Sequence, residues 1–295
     1  MTNDNEYLQK VLKSQSLADD SPEMKQLRER RQHVENVLCA AFPKSSPTIR
    51  YGGSKAKRTL IKELYDLDLV CYFPNSDTNA GETLENIYHN VSAALAKHYQ
   101  VMPKRSALRL RDIKTSVDFH IDVVPGRFTD DENTDCFLWQ NEGEKKRLKT
   151  NLDVHIVHVR DSGVVDAIRV LKLWKTRKAL PVKQFAFELL IIELLAGSKN
   201  KSLPAQVKKV WAELRDRTEP VAIEDPANPS GNDLSDLLGG SVWWQLSSVA
   251  RSTLESLDAN GWEAIFGKVE EKQASAAPLK SAVGGVAVTS RPWAK

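Results

Sequence analysis

Asp66, Leu67 and Asp68 set two carboxylates one residue apart, and Asp122 adds a third in the run from Val117 to Pro125. Gly52, Gly53 and Ser54 stand upstream of them. Three acidic groups beside a small-residue turn form the donor set that two divalent metals need for attack on a nucleoside triphosphate. On a strand, residues i and i+2 project from one face, roughly 6.5–7 Å apart along the chain. Asp66 and Asp68 so placed could share or flank a pair of Mg²⁺ ions, whose hard charge prefers oxygen. Taken alone, the pair also fits the charged edge of a solvent-facing strand. The glycines let backbone approach phosphate oxygens, and Ser54 offers its hydroxyl and amide. A helix beginning there would add positive potential, although Gly-Gly is also a generic turn signal. On the later strand, Asp118, His120 and Asp122 share one face and Val117, Phe119, Ile121 and Val123 the other. Asp122 is the expected ligand, with Asp118 in reserve. His120 reads as a neighbour rather than a catalyst.

These groups need elements to hold them. Asp66 to Phe73 alternates as a strand, its two carboxylates opposite Leu67 and Leu69. Pro74 to Asp77 is a turn. Leu108 to Arg111 and Val117 to Val124 are further strands, and Cys136 to Gln140 is a short one. Upstream, Asp20-Ser21-Pro22-Glu23 marks a helix start, with Asp20 as its cap. The apolar stripe of that helix is Leu27, Val34, Val37, Leu38 and Ala41, and it ends near Pro43. Glu82 to Tyr99 reads as a helix on Leu84, Ile87, Val91 and Leu95. After about residue 150 the periodicity becomes helical. Helices are predicted over Val164 to Lys178, Phe185 to Ala196, Leu203 to Leu214 and Trp243 to Ile265. Trp174, Trp211, Trp243, Trp244 and Trp262 fall in this half and are expected in its core. From Glu270 on, the period disappears and the chain reads as a flexible tail.

Composition bounds the function. The 295 residues suit one two-lobed domain or two small ones. The 42 basic and 39 acidic residues leave a net charge of +3, too little for a nucleic-acid coat over the whole surface. Basic clusters at Lys104-Arg105, Arg109 and Arg111, Lys145 to Arg147, and Lys172 to Lys178 lack interleaved aromatics. A solvated charged face is the better reading for them than a nucleic-acid groove. Cys39, Cys71 and Cys136 are widely spaced and form no metal-binding motif, which fits a reducing cytosol. The acidic start, Met1 to Tyr7, lacks the apolar core of a signal peptide. The most apolar stretch, Phe185 to Gly197, contains Glu188 and Glu193 and is too short to span a bilayer. A cytoplasmic protein without a membrane segment is expected.

The order Gly53-Ser54, Asp66-x-Asp68, then Asp122-Val-Val-Pro125 resembles the polymerase-β-like nucleotidyltransferase superfamily. Later residues narrow the likeness. Lys149-Thr-Asn151 with His155-Ile156 resembles the segment joining the two lobes of bacterial cyclic-oligonucleotide synthases. These enzymes, the CD-NTases, are relatives of oligoadenylate synthetase and cyclic GMP-AMP synthase. Val165 to Trp174 looks like their helix with an Arg-x-x-Lys-x-Trp pattern. Phe187 to Leu190, Ile223 to Pro229 and Asn232-Asp233-Leu234 match further landmarks. The resemblance covers roughly residues 30 to 265. Two positions depart from it: Arg58 stands where many relatives have glycine before the counterpart of Thr59, and Gln184 stands where a small hydroxyl residue is common.

The resemblance implies an α+β fold, with a polymerase-β-like mixed sheet and a C-terminal helical lobe. Residues 1–160 would form the catalytic core with its N-terminal helix, 161–270 the lobe closing the nucleotide cleft, and 271–295 the tail. Asp66, Asp68 and Asp122 would hold Mg²⁺, or Mn²⁺. Gly53, Ser54 and Lys172 would bind nucleotide, Lys172 through the triphosphate; a solvated helix position is the other reading of Lys172. The implied activity is synthesis of a cyclic di- or trinucleotide from NTPs, ATP among them, in bacterial antiphage signalling. A separate effector would respond to the product, and an accessory protein could engage the tail. Transfer of nucleotides to RNA or protein is the rival within this chemistry. A non-catalytic nucleotide- or RNA-binding module is the rival outside it.

Overall fold

The computed structural model describes residues 3–112, 120–232 and 234–269. Helix α1 (Asp4–Ser14) opens the chain and α2 (Pro22–Ala41) follows. Ser21, not Asp20, caps α2, accepting from the Met24 N–H at 3.2 Å. Pro22 explains the difference. It lacks an N–H and its fixed φ suits the first helical position, so the residue immediately before it becomes the cap.

Next come β1 (Thr48–Tyr51), the single turn α3 (Gly53–Ala56), β2 (Leu67–Phe73) and α4 (Leu84–Ala96). They are followed by β3 (Tyr99–Pro103), β4 (Leu108–Asp112), β5 (His120–Phe128), β6 (Cys136–Trp139) and β7 (Arg147–Thr150). The sheet runs β1-β2-β5-β4-β3, and β6 extends from β5 to β7. Among the described residues only β2 and β5 pair in parallel, which makes this the mixed sheet of an α+β fold. The helix expected over 82–99 stops at Ala96, because Tyr99 is drawn into pairing with Asp112. Strand β5 continues past Val124 to Phe128, where β6 supplies a partner. Asp118, with the rest of 113–119, lies outside the described residues.

One face of the sheet is covered by α2 and α4. Leu67, Leu69, Ile121 and Val123 pack there against Leu27, Leu38, Ile87 and Val91. The other face carries a small cluster of Val70, Tyr72, Phe128, Cys136 and Leu138. The carboxylates open onto this second face because side chains alternate across a strand.

The second half is helical: α5 (Leu152–Arg160), α6 (Val165–Arg177), α7 (Gln184–Leu194), α8 (Leu203–Asp216), α9 (Gly240–Asn260) and α10 (Glu263–Phe266). Their core joins Trp174, Phe187, Trp211, Leu246 and Trp262. Tyr7, Leu8, Val11 and Leu12 of α1 pack into this same cluster, although α1 precedes the sheet in the chain. Trp244 departs from the expected core, with 70% of its surface exposed. It follows the buried Trp243 on α9, and consecutive helical residues cannot share one face. The helix predicted over 243–265 is broken by Gly261, whose φ of +74° ends α9. Among the described residues no helix is long and apolar enough to cross a membrane.

Candidate active site

The glycine turn lies directly against Asp68. The Gly52 N–H donates to the Asp68 carbonyl at 2.9 Å. Gly53 takes φ +49°, in the left-handed region. A Cβ at Gly53 would fall 1.7 Å from Asp68 Oδ2. Glycine is therefore required twice at this position, by conformation and by space. A helix does begin here, but α3 has only four residues. Ser54 is buried in it, and its carbonyl accepts from the Thr59 N–H at 3.0 Å.

The parallel register of β2 and β5 sets Asp68 beside Asp122, and Asp66 immediately precedes β2. The three acids influence one another. Loss of water pushes the Asp68 carboxyl up to about 8, helped by the charges of Asp66 and Asp122 and opposed by Lys57 and Lys172. His120 Nε2 sits 4.0 Å from Asp66 Oδ2, as a neighbour of the carboxylates. Asp122 is gripped by Arg109, whose Nε and Nη2 donate to its two oxygens at 2.8 and 2.7 Å. That removes Arg109 from the solvated basic face on which the sequence placed it.

Three carboxylates are hard oxygen donors of the kind Mg²⁺ takes. The repulsion focused on Asp68 is negative charge that a divalent cation would offset. Among the described residues, no three Asp, Glu, His or Cys side chains are already arranged as a metal cage. Asp66 and Asp68 fit a cation in chemistry and placement. Asp122 fits in chemistry, with its charge shared with Arg109.

That sharing gives a testable consequence. Both side chains are mostly buried, at 12% and 18% exposed. Arg109→Leu leaves the Asp122 carboxylate without its bidentate partner and is expected to cost about 3 kcal/mol of stability. Chemical denaturation measures it, and Arg109→Leu/Asp122→Asn should recover most of the loss.

Asp66 and Asp68 line a cleft of ≈ 420 Å³ between sheet and helices, and Asp122, held by Arg109, is not part of its lining. Lys172 faces it from α6 and is 1% exposed, so it is no solvated helix position. Its ammonium donates to the Thr59 carbonyl at 3.4 Å. Burial lowers its pKa, against the pull of Asp66, Glu188 and Asp68.

Lys57, His155, Glu188, Asp225 and Asn232 also line this cleft, and the sequence did not mark them as functional. Glu188, on α7, accepts from Lys57 Nζ at 3.0 Å and from the Thr59 hydroxyl at 2.8 Å. Its available signal was an acid inside an apolar run. Asp225 is buried, with His155 Nε2 at 2.6 Å, and accepts from the Asn232 amide at 2.6 Å and the Ala227 N–H at 2.9 Å. Asp225 and His155 both fall in stretches that carry the family likeness.

Both departures from the family pattern have a structural account. Arg58 has φ +62°, a conformation that glycine adopts freely. Gln184 donates to Glu188 at 3.3 Å and accepts from Lys175 at 3.4 Å.

No family model and no curated protein matches the sequence. Solved structures do resemble the chain. CdnC of E. coli MS115-1 with ATP superposes at TM-score 0.68 and 20% identity, covering 90% of this chain and 98% of that one. The Bradyrhizobium diazoefficiens CD-NTase CdnG in complex with GTP gives TM-score 0.67 at 12% identity, over 90% and 96%. The Vibrio cholerae DncV cyclic AMP-GMP synthase with the linear intermediate 5′ pppA(3′,5′)pG gives 0.65 at 15%, over 87% and 90%. At these identities the likeness is one of fold, and it extends over both lobes.

Proposed function

We propose that the chain is a metal-dependent nucleotidyltransferase that makes a cyclic di- or trinucleotide from NTPs. The observation that carries this reading is the meeting of Asp66, Asp68, the Gly53-Ser54 turn and the buried Lys172 in one cleft. Carboxylates directly beside a glycine turn, with a buried lysine in the same cleft, match the charge pattern of a metal-bound triphosphate. The fold shared with nucleotide-bound CD-NTases supports the same conclusion.

Asp66, Asp68 and Asp122 would hold Mg²⁺ or Mn²⁺. When bound, such ions offset triphosphate charge and lower the pKa of a ribose hydroxyl. The turn at Gly53 brings backbone within reach of phosphate oxygens, and Ser54 and Lys172 would orient the β and γ groups. A ribose hydroxyl of one nucleotide attacks the α-phosphorus of another and releases its proton to solvent, the α–β bridge breaks, and pyrophosphate leaves. A cyclic product repeats the step within the linear intermediate, whose free hydroxyl attacks its own triphosphate. A role in antiphage signalling through a separate effector, in the cytoplasm, belongs to the same proposal. So does an accessory protein acting on the 271–295 tail.

The test is incubation of purified protein with all four NTPs and Mg²⁺ or Mn²⁺, beside Asp66→Ala/Asp68→Ala. Phosphatase treatment and mass spectrometry follow. A phosphatase-resistant cyclic species, lost in the variant, is expected. Label transferred only to added RNA or protein would replace this reading with the rival acceptor chemistry. Nucleotide binding without turnover under every condition would indicate a binding module.

A further inference from the structure

The basic segment Lys55-Ala-Lys-Arg58 follows the Gly53-Ser54 turn, and its cations have different surroundings. Lys55 is partly exposed near Asp19, and Arg58 is exposed. Lys57 alone is buried, and it lines the cleft beside Asp66 and Asp68. Its ammonium lies 3.0 Å from Glu188 and 4.3 Å over the Phe185 ring.

Glu188 is an unusual residue for its helix. α7 is otherwise almost wholly apolar, and Glu188 is 1% exposed at its middle. A buried carboxylate is costly unless it is paired and hydrogen-bonded. Glu188 has more than one such partner: the Thr59 hydroxyl at 2.8 Å and the Gln184 amide at 3.3 Å remain if Lys57 is withdrawn. Lys172 also acts on it electrostatically. Lys57 is therefore a cation that can leave its carboxylate without orphaning it. It is attached to the same turn as Ser54, its backbone N–H bonding the Gly53 carbonyl at 3.2 Å.

We infer that Lys57 is a second triphosphate-binding cation, which exchanges Glu188 for the β and γ phosphates when nucleotide enters. The inference rests on the nucleotidyltransferase reading of the cleft. A triphosphate carries several negative charges against the one of Glu188, and its phosphates would lie beside the turn that carries Lys57. Lys172 and Lys57 then approach the phosphates from α6 and from the end of the turn after α3, one from each lobe. The remaining bonds of Glu188 to Thr59 and Gln184 keep the turn in place during the exchange.

Calorimetric titration with ATP, AMP and inorganic tripolyphosphate in Mg²⁺ buffer tests this. The variants are Lys57→Met, and Lys57→Met/Glu188→Gln, which removes both charges and leaves no buried anion to destabilise the fold. The double variant should melt like wild type. Both variants are expected to bind ATP and tripolyphosphate about 10–100-fold more weakly, the loss of one charge-assisted bond. AMP, lacking the β and γ phosphates, should bind as to wild type. A double variant that folds and binds tripolyphosphate as wild type does would reduce Lys57 to a structural partner of Glu188. Equal weakening of ATP and AMP would likewise overturn the assignment. Wild-type protein that binds neither ATP nor tripolyphosphate would instead refute the nucleotidyltransferase reading, and this inference with it.

Discussion

Asp68→Asn is expected to abolish product formation and yet to yield a protein that melts higher than wild type in metal-free buffer. The two effects share a cause. Burial and the charges of Asp66 and Asp122 hold the Asp68 carboxyl far above its ordinary range. The folded state therefore resists its ionisation, whereas the unfolded chain does not. At neutral pH that difference works against folding, and an isosteric neutral amide removes it. The attraction of Lys57 and Lys172 is lost as well, but it is outweighed, since the net displacement is upward. A rise of a few degrees corresponds to about 1 kcal/mol in a domain of this size. If Asp68 holds a metal as proposed, turnover would depend on the same charge, because a neutral amide is a weak ligand for a hard dication. A fall on the order of 10³-fold or more is expected. Thermal melting in chelator and product analysis by mass spectrometry check the pair. A lower melting point would show that Asp68 stabilises the apo fold, and retained turnover would move the metal site elsewhere.

Gly53→Ala is the second large effect. Alanine in the left-handed region costs about 1–2 kcal/mol by itself. Here the new methyl would also meet Asp68 Oδ2 at 1.7 Å, Cγ at 2.5 Å and Cβ at 2.8 Å. Either the turn lifts away or the Asp68 carboxylate rotates, and both changes separate the phosphate end from the acids. A displacement of about 1 Å at reacting groups is enough for roughly a 10²-fold loss of rate. The variant should therefore melt several degrees lower and lose activity by at least about that factor. Gly52→Ala is the informative contrast for stability. A Cβ there meets nothing closer than 3.8 Å, and its φ of −105° is open to any residue, so it should melt like wild type. Equal melting of the Gly53 and Gly52 variants would show that the turn yields more readily than its contacts imply.

The acids and the turn were legible in the sequence because their signals are local. A period of two put Asp66 and Asp68 on one face, and a Gly-Gly pair before a serine marked a backbone able to approach other groups closely. The long helices α6, α7 and α8 were legible for the same reason, as was the mixture of strands and helices ahead of them. Boundaries failed where a distant partner decided them. Tyr99 left its helix for β4, and Gly261 cut one helix into α9 and α10. Helices α1 and α5, with strands β1, β3 and β7, were not read at all; they draw their stability from what they pack against, and α1, as long as α7, does so in the helical core.

Only the tertiary structure placed Asp122 beside Asp68, since parallel register follows from how two distant strands bury their apolar faces. It also decided which charges meet. Arg109 holds Asp122 across neighbouring strands, and Glu188 reaches Lys57 and Thr59 from the opposite lobe. No periodicity contains those pairs. They exist because charges withdrawn from water must find partners wherever the folded chain brings them. The sequence by itself thus determined which chemistry the cleft could do. Folding decided which cations compensate it, because compensation depends on proximity in space and not along the chain.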